Sequence, residues 1–236
     1  MSDYLEHIER IASTVVRENA LKVDGGVFPQ ATVDALAASG LLGLITAKEM
    51  GGMGEGPRAA AMVVERLARE CASSAMVTCM HYSGTAVIEQ YGDEDTRKAI
   101  AKGTHLSTLA FSESGSRSHF WAPVSTAERT MEGIQINAKK SWVTSANQAT
   151  AYVWSSQAME GEGSTIWLVP AKANGLKSIG PFTGLGMRGN DSTPIIANNV
   201  QISEGNRLGA DGAGFQIMME TVLPWFQIMN SACSIG

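Results

Sequence analysis

The sequence lacks three features that would place it in a common class. None of its 236 residues belongs to an apolar run long enough to cross a bilayer, so we expect no membrane span. It has no excess of basic residues, because its formal net charge is −5, and this disfavours nucleic acid or an anionic membrane as the partner. Residues 1–7 are polar and acidic, which is unlike a secretory signal.

Cysteine is scarce as well. Cys71, Cys79 and Cys233 are an odd number and do not have the spacing of metal ligands. We therefore expect reduced, buried thiols in a cytoplasmic protein, and no metal site. His81 lies in an apolar helical stretch and is predicted to be a core residue with its hydrogen bonds satisfied. The 44% hydrophobic and 17% charged residues describe a folded chain.

Residues 1–105 carry the pattern of helices. Leu5, Ile8 and Ile11 recur at helical spacing and form one apolar face. Gly40 is predicted to end a helix, because glycine readily adopts the left-handed conformation of a helix terminus. Further helices are predicted over residues 32–38, 59–71, 73–91 and 95–101. We expect an N-terminal all-α helical bundle.

The pattern changes after about residue 105. Short β-prone runs follow at residues 106–111, 134–136, 151–154, 165–169 and 195–196. Turn-forming residues separate them at roughly even spacing, which is typical of an antiparallel barrel or sandwich. From residue 212 the chain is helical again, and Pro224 should kink or restart that helix. The prediction is a multi-domain α and β chain: a helical domain at 1–105, a middle β-barrel at 106–211, and the incomplete start of a C-terminal helical domain at 212–236.

Two glycine-rich stretches match nucleotide-binding patterns poorly. Residues 184–189 read GLGMRG, but Pro181 precedes them and residues 190–194 open no helix. A dinucleotide fingerprint needs a strand before it and a helix starting at it. Residues 209–214 precede a helix but lack the lysine of a phosphate-binding loop. We expect turns at both places.

Two hydroxyl-rich segments contain the candidate ligand-binding residues. The first segment, residues 109–118, reads LAFSESGSRS, and the second segment, residues 140–145, reads KSWVTS. A flavin needs hydrogen bonds at its pyrimidine edge and N5, apolar walls for its rings, and small polar groups at its pyrophosphate. Ser112, Ser118 and Thr144 offer the hydrogen bonds, and Trp142 a wall. The alternative is ordinary sheet loops around a core tryptophan.

Both segments resemble the flavin-contacting segments of the acyl-CoA dehydrogenase family. The first is similar to its T-E-P-G-A-G-S-D loop and the second to its K-x-W-I-T-N strand. Other stretches resemble the family in the same order along the chain: FP at 28–29, GLLGL at 40–44, ERLARECAS at 65–73 and GLGMRGNDST at 184–193. The resemblance covers the family's N-terminal and middle domains, whereas its C-terminal domain is largely absent.

The resemblance implies an FAD-dependent oxidoreductase of fatty acid metabolism. In this family a carboxylate takes the α-proton of an acyl-CoA thioester while flavin N5 takes the β-hydride. Its members are homotetramers that pass electrons to an electron-transferring flavoprotein. By position, the implied cofactor-binding residues are Leu109, Phe111, Ser112, Gly115, Ser118, Trp142, Val143 and Thr144. Ser118 would also lie near the acyl-CoA, and Thr144 near N5.

The departures from the family pattern leave alternatives open. Arg117 replaces a glycine of the family loop, at a place where a positive φ is expected. His119 replaces an acid, and residues 120–121 add aromatic bulk where acyl-CoA would enter. The family's catalytic base lies in the third domain, and Glu220 does not match its position, so the catalytic residue is unknown. The alternatives are a flavin-dependent monooxygenase or N-hydroxylase on the same fold, and a truncated, non-catalytic homologue that binds a partner.

Overall fold

Helices occupy the chain up to Ala101. The computed structural model describes residues 3–117 and 119–236. The helices are α1 (Asp3–Ile11), α2 (Arg17–Asp24), α3 (Gln30–Ala38), α4 (Pro57–Ala68), α5 (Ala72–Tyr91) and α6 (Glu94–Ala101), with a π-helical segment, Ala12–Val16, between α1 and α2. The predicted N-terminal helical region is confirmed. Within the described ranges, no helix combines the length and the apolar character that a membrane crossing requires.

Local residue chemistry sets several helix ends. α3 ends at Ala38, and Gly40 follows with a φ of 74°, as its type predicts. Pro57 lies in the first turn of α4, where its missing N–H costs nothing. At the start of α6, the Asp93 carboxylate accepts a hydrogen bond of 2.7 Å from the Thr96 backbone N–H.

The strands form two four-stranded sheets. They are β1 (Ser107–Ala110), β2 (Thr126–Thr130), β3 (Gly133–Val143), β4 (Ala151–Gln157), β5 (Ser164–Pro170), β6 (Leu176–Ser178), β7 (Thr193–Ile202) and β8 (Arg207–Leu208). The first sheet has the order β1-β4-β5-β8 and the second the order β2-β3-β7-β6. The predicted middle β region is confirmed.

One pairing departs from the antiparallel pattern. β1 pairs with β4 in parallel, with Ser107 opposite Ala151, whereas the other pairs described are antiparallel. Neighbouring parallel strands need a long crossover connection. Here β2 and β3, which belong to the second sheet, provide that connection.

Both faces of the first sheet are buried. Trp154 of β4 and Trp167 of β5 lie opposite each other and face the second sheet, with neither exposed to solvent. On the other face, Val153 and Leu109 pack against Val87 of α5. Burial on both faces explains why β4 and β5 each carry a run of consecutive apolar residues, 151–154 and 166–169, rather than an alternating pattern.

The last part of the chain is helical. It contains α7 (Gly214–Ile217), a second π-helical segment (Met218–Val222) and α8 (Leu223–Ile235). Pro224 lies in the first turn of α8, but Val222 and Leu223 keep helical dihedral angles, so the helical backbone runs through this proline without a break. The expected kink or restart is present only as the change from π-helical to α-helical geometry just before it. Met229 and Ala232 of α8 are buried against the N-terminal helices. The division into domains at 1–105, 106–211 and 212–236 stays a prediction.

Candidate functional site

The two hydroxyl-rich segments meet where the two sheets join. The Ser141 backbone N–H donates a hydrogen bond of 2.8 Å to the Ser112 carbonyl, and Glu113 forms an antiparallel bridge with Lys140. The chain therefore leaves the first sheet at the end of β1 and at once joins β3 of the second sheet. Residues that are 27 positions apart come into direct contact.

A buried ion pair lies at this junction. The Lys140 ammonium donates to the Glu113 carboxylate, and both side chains are fully buried. Lys140 Nζ also donates to the carbonyl and the hydroxyl of Ser155 in β4, at 2.7 and 3.0 Å. The Trp154 ring lies 5.1 Å from this nitrogen, which adds a cation–π contact. All three N–H groups of the ammonium thus have partners.

The Glu113 carboxylate has several further partners. It accepts the backbone N–H groups of Val124 and Ser125 at 2.7 and 2.9 Å, and the Ser125 hydroxyl at 2.6 Å. Burial lowers the pKa of Lys140 to about 8, although the charge of Glu113 acts in the opposite direction. Sequence reasoning passed over this pair. The signal available was an acidic residue just after the apolar run 109–111 and a basic residue just before Trp142 and Val143.

An apolar pocket opens beside the junction. Its lining comes from α5, the end of β1, the end of β3 and the start of α8, together with Phe120. The residues that line it are Met80, Leu109, Phe111, Ser112, Phe120, Ser141, Trp142, Val222, Leu223 and Phe226. The two serines are the polar members of a wall that is otherwise apolar and aromatic. Such a site suits a flat, largely apolar ligand with a polar edge.

Four of the predicted site residues line this pocket. They are Leu109, Phe111, Ser112 and Trp142. Trp142 is 71% exposed and has a φ of 55°, an uncommon conformation for a bulky residue. Its ring meets Phe182 edge-on, with centroids 6.5 Å apart. An exposed tryptophan on a strained backbone is frequent at functional sites rather than in a core.

The other predicted site residues have different surroundings. Gly115 is exposed with a φ of 105°, and a Cβ atom at this position would meet nothing within 4 Å. Val143 is buried in the core between the sheets, so a ligand at the pocket would meet its backbone only. Thr144 is also buried: its hydroxyl lies 3.0 Å from that of Ser192, and its carbonyl accepts from Thr108. Ser118 lies outside the described residues.

The loop after the first segment keeps a left-handed residue. Arg117 is exposed with a φ of 50°, so the expected positive φ is present although the residue is not glycine. Two residues further along, His119 stacks on Trp121 with centroids 5.0 Å apart. Phe120 meets the same indole edge-on and lines the pocket. Of the aromatic residues that the sequence indicated, Phe120 lines the pocket, and Trp121 packs against it.

Acidic residues do not reach the pocket from the described part of the chain. Glu220 is exposed and accepts a hydrogen bond from Gln216 one turn earlier on its helix. The described residues also contain no cluster of His, Cys, Asp or Glu that could hold a metal ion. This lining can bind and orient a ligand, but it offers no group for abstracting a proton from carbon.

The glycine-rich stretch at 184–189 has a structural role. It leads into a short 3₁₀ turn, Arg188–Asn190, and then into β7, so the dinucleotide-binding pattern is not met. Gly189 packs directly on the backbone of Val23 and Val27. The stretch attaches the second sheet to the end of α2.

Comparison with protein families gives two adjacent matches. A model described as "Acyl-CoA dehydrogenase, N-terminal domain" matches residues 2–104, and one described as "Acyl-CoA dehydrogenase, middle domain" matches residues 108–200. The human mitochondrial short-chain specific acyl-CoA dehydrogenase is 29% identical over 204 residues, which are 83% of this chain and 50% of that protein. The chain thus spans about half the length of this relative.

Solved structures share the fold over nearly the whole chain. Butyryl-CoA dehydrogenase from Megasphaera elsdenii superimposes with a TM-score of 0.90 at 21% identity, covering 98% of this chain and 64% of that one. The FAD complex of PigA superimposes with a TM-score of 0.86 at 18% identity, with 98% and 64% covered. At these identities the likeness establishes the fold.

Proposed function

Because the chain belongs to the acyl-CoA dehydrogenase family, we propose that it provides the first two domains of an FAD-dependent oxidoreductase that dehydrogenates an acyl-CoA thioester. One observation carries this proposal. The two hydroxyl-rich segments converge on a single apolar pocket, and Trp142 presents an exposed ring beside it. Bound FAD would supply the acceptor for the β-hydride.

The residues present fit a flavin. The indole of Trp142 offers an apolar face, and Leu109 and Phe111 extend the apolar wall. Ser112 and Ser141 supply hydrogen-bonding groups in that wall. Gly115 leaves the loop backbone open to a close approach by phosphate, and the exposed Arg117 adds positive charge there. In this proposal these groups bind and orient the cofactor, and Thr144 stabilises the backbone beside Trp142.

Proton abstraction needs a group that the described pocket lining does not contain. A positioned general base is required, because the α-proton of a thioester is only weakly acidic; the family resemblance implies a carboxylate. Glu220 is exposed and paired with Gln216, so we propose no catalytic role for it. The proposed contribution of this chain is the flavin-binding half of the site, with Ser118 near the acyl-CoA.

The proposal includes partners and context. We propose an acyl-CoA thioester as substrate, an electron-transferring flavoprotein as acceptor, a homotetrameric assembly and a place in fatty acid metabolism. A cytoplasmic location is proposed from the three free cysteines, Cys71, Cys79 and Cys233.

The aromatic pocket mouth supports a second candidate. His119 stacks on Trp121, and Phe120 meets the same indole edge-on and lines the pocket, in the stretch where the resemblance places acyl-CoA entry. Aromatic bulk at this place would favour a smaller, flatter substrate, as a flavin-dependent monooxygenase or N-hydroxylase would take. A third candidate is a non-catalytic homologue, which the lack of a carboxylate in the described lining supports.

One experiment separates the three candidates. The purified chain is titrated with FAD, and a panel of acyl-CoA thioesters is then added without oxygen. Bleaching of the flavin absorbance supports dehydrogenation, and it would require a base from outside the described pocket lining. Bound flavin that neither bleaches nor consumes oxygen supports a flavin-binding role without catalysis by this chain. Bound flavin that is not bleached, but consumes oxygen when a reductase is supplied, supports the monooxygenase. A protein that takes up no FAD contradicts both enzymatic candidates.

A variant of Trp142 tests the proposed site itself. Trp142→Ala removes the aromatic wall, so the Kd for FAD should rise about tenfold, equivalent to about 1.4 kcal/mol. Met131→Ala is the control, because Met131 is fully exposed at the tip of the β2–β3 hairpin. Equal affinities in the two variants would argue against a flavin beside Trp142.

A further inference from the structure

The two segments at the pocket are joined by very little backbone. The contact consists of the single bridge between Glu113 and Lys140 and the hydrogen bond from Ser141 to Ser112. β1 continues in the first sheet with β4, and β3 continues in the second sheet with β2 and β7. The Thr108 hydroxyl of β1 adds one side-chain contact, to the Thr144 carbonyl. The relative position of Ser112 and Trp142 therefore depends on the side chains that stabilise this junction.

The side chains of the bridged residues provide that support. The Lys140–Glu113 ion pair lies within the barrel directly at the bridge, and neither side chain is exposed. Lys140 also connects the bridge to β4, because its ammonium donates hydrogen bonds to the carbonyl and the hydroxyl of Ser155. Glu113 connects the bridge to the segment before β2, because its carboxylate accepts hydrogen bonds from the backbone N–H groups of Val124 and Ser125.

Glu113 also brings together the two ends of the loop at the pocket mouth. Glu113 is the first residue of this loop. Its carboxylate accepts hydrogen bonds from the backbone N–H groups of Val124 and Ser125, where the loop ends. The same side chain thus positions the loop that carries Gly115 and Phe120.

We propose that the Lys140–Glu113 pair is a positioning pair, which sets the distance between the Ser112 and Trp142 sides of the pocket and thereby its affinity for flavin. This inference rests on the proposed function. Neither residue lines the pocket, so each acts through its neighbours. Stability alone is a weak reason for such a pair, because well-packed neutral side chains often replace a buried ion pair without loss.

The test removes both charges together. The double variant Lys140→Met, Glu113→Gln keeps the length of the Glu113 side chain, shortens that of Lys140 by one atom, and leaves no unpaired buried charge. The control is Arg129→Met, Glu204→Gln, which removes a bidentate pair in the same barrel whose side chains are about half exposed. Three quantities are measured for each: the urea midpoint, the Kd for FAD, and the amide exchange of residues 112–117 and 141–144.

The expected result is specific to the positioning pair. The urea midpoint of the double variant stays close to that of the control, while exchange rises in residues 112–117 and 141–144 and the Kd for FAD rises about tenfold or more. Unchanged exchange and affinity would overturn the inference. So would faster exchange throughout the barrel with a lower midpoint, because the pair would then act only on stability.

The two proposals can fail separately. If the unaltered chain binds no FAD, the proposed function fails. The exchange measurement still decides whether the pair positions the two segments, since it needs no cofactor. If the unaltered chain binds FAD and the double variant binds it equally well, only the positioning role fails.

Discussion

The Nδ1 atom of His81 in α5 accepts a hydrogen bond of 3.0 Å from the backbone N–H of Ser107, the first residue of β1. The Nε2 atom of the same ring lies 2.9 Å from the Leu42 carbonyl. Because Nδ1 accepts, Nε2 carries the proton and donates, so the ring is neutral. The predicted core histidine is confirmed, and it connects the helical region to the first sheet.

The His81 ring should make stability depend on pH. Burial lowers its pKa to about 4 from the ordinary value of 6.5. Between these values the unfolded chain binds more protons than the folded one, so the free energy of unfolding falls as the pH drops from 6.5 to 4. The loss attributable to His81 should reach about 3 kcal/mol.

Urea unfolding at pH 6.5 and pH 4.5 checks this pH dependence. In His81→Gln the amide can donate to the Leu42 carbonyl and accept from Ser107 without titrating. Its unfolding free energy should fall less over this range than that of the unaltered chain. The unfolding free energy of the variant should still fall to some extent with decreasing pH, because burial lowers the pKa of His105 to about 4 as well. Equal slopes in the two proteins would contradict the prediction.

Breaking the Lys140–Glu113 pair on one side should be costly. Lys140→Met leaves the Glu113 carboxylate buried with no ammonium beside it. We expect the free energy of unfolding to fall by about 3–5 kcal/mol, whereas the neutral double variant should lose much less. Urea unfolding at pH 7 measures both. A single variant as stable as the double one would show that water or protonation compensates the lone carboxylate.

Glycine at position 117 should stabilise the chain. Arg117 has a φ of 50°, which is costly for a residue with a Cβ atom. Arg117→Gly should raise the free energy of unfolding by about 0.5–1 kcal/mol, after allowing for the greater freedom of glycine in the unfolded state. Arg117→Ala is the control, because it removes the charge but keeps the Cβ. Thermal unfolding of the two variants should differ, and equal midpoints would argue against strain at this residue.

The contact between Gly189 and α2 should tolerate no side chain. A Cβ at this position would lie 2.5 Å from both the Val23 carbonyl oxygen and its Cγ1 atom. Gly189→Ala should lower the free energy of unfolding by about 1–3 kcal/mol. Gly186→Ala, in the same turn, is the control, because a Cβ there meets nothing within 4 Å. Urea unfolding measures the free energy of unfolding of both variants. An equal decrease in the two would show that the turn conformation, and not the contact with α2, disfavours a side chain.

Much of the fold could be predicted from local patterns. The left-handed conformation of Gly40 follows from the freedom of glycine to adopt a positive φ. Pocket residues such as Ser112 and Trp142 were identified from the family motif, and both line the pocket. Val143 belongs to the same motif, yet its side chain lies in the core, because successive strand residues point to opposite faces.

The sequence by itself determined the change from helices to strands near residue 105, five of the eight strands described and the two segments at the pocket. Each of these depends on residues close together in the chain. Only the tertiary structure decided that β1 runs parallel to β4 and that Lys140 meets Glu113. The physical reason is that strand partners and buried charge pairs are set by how two distant segments pack together. Nothing in either segment alone specifies that register.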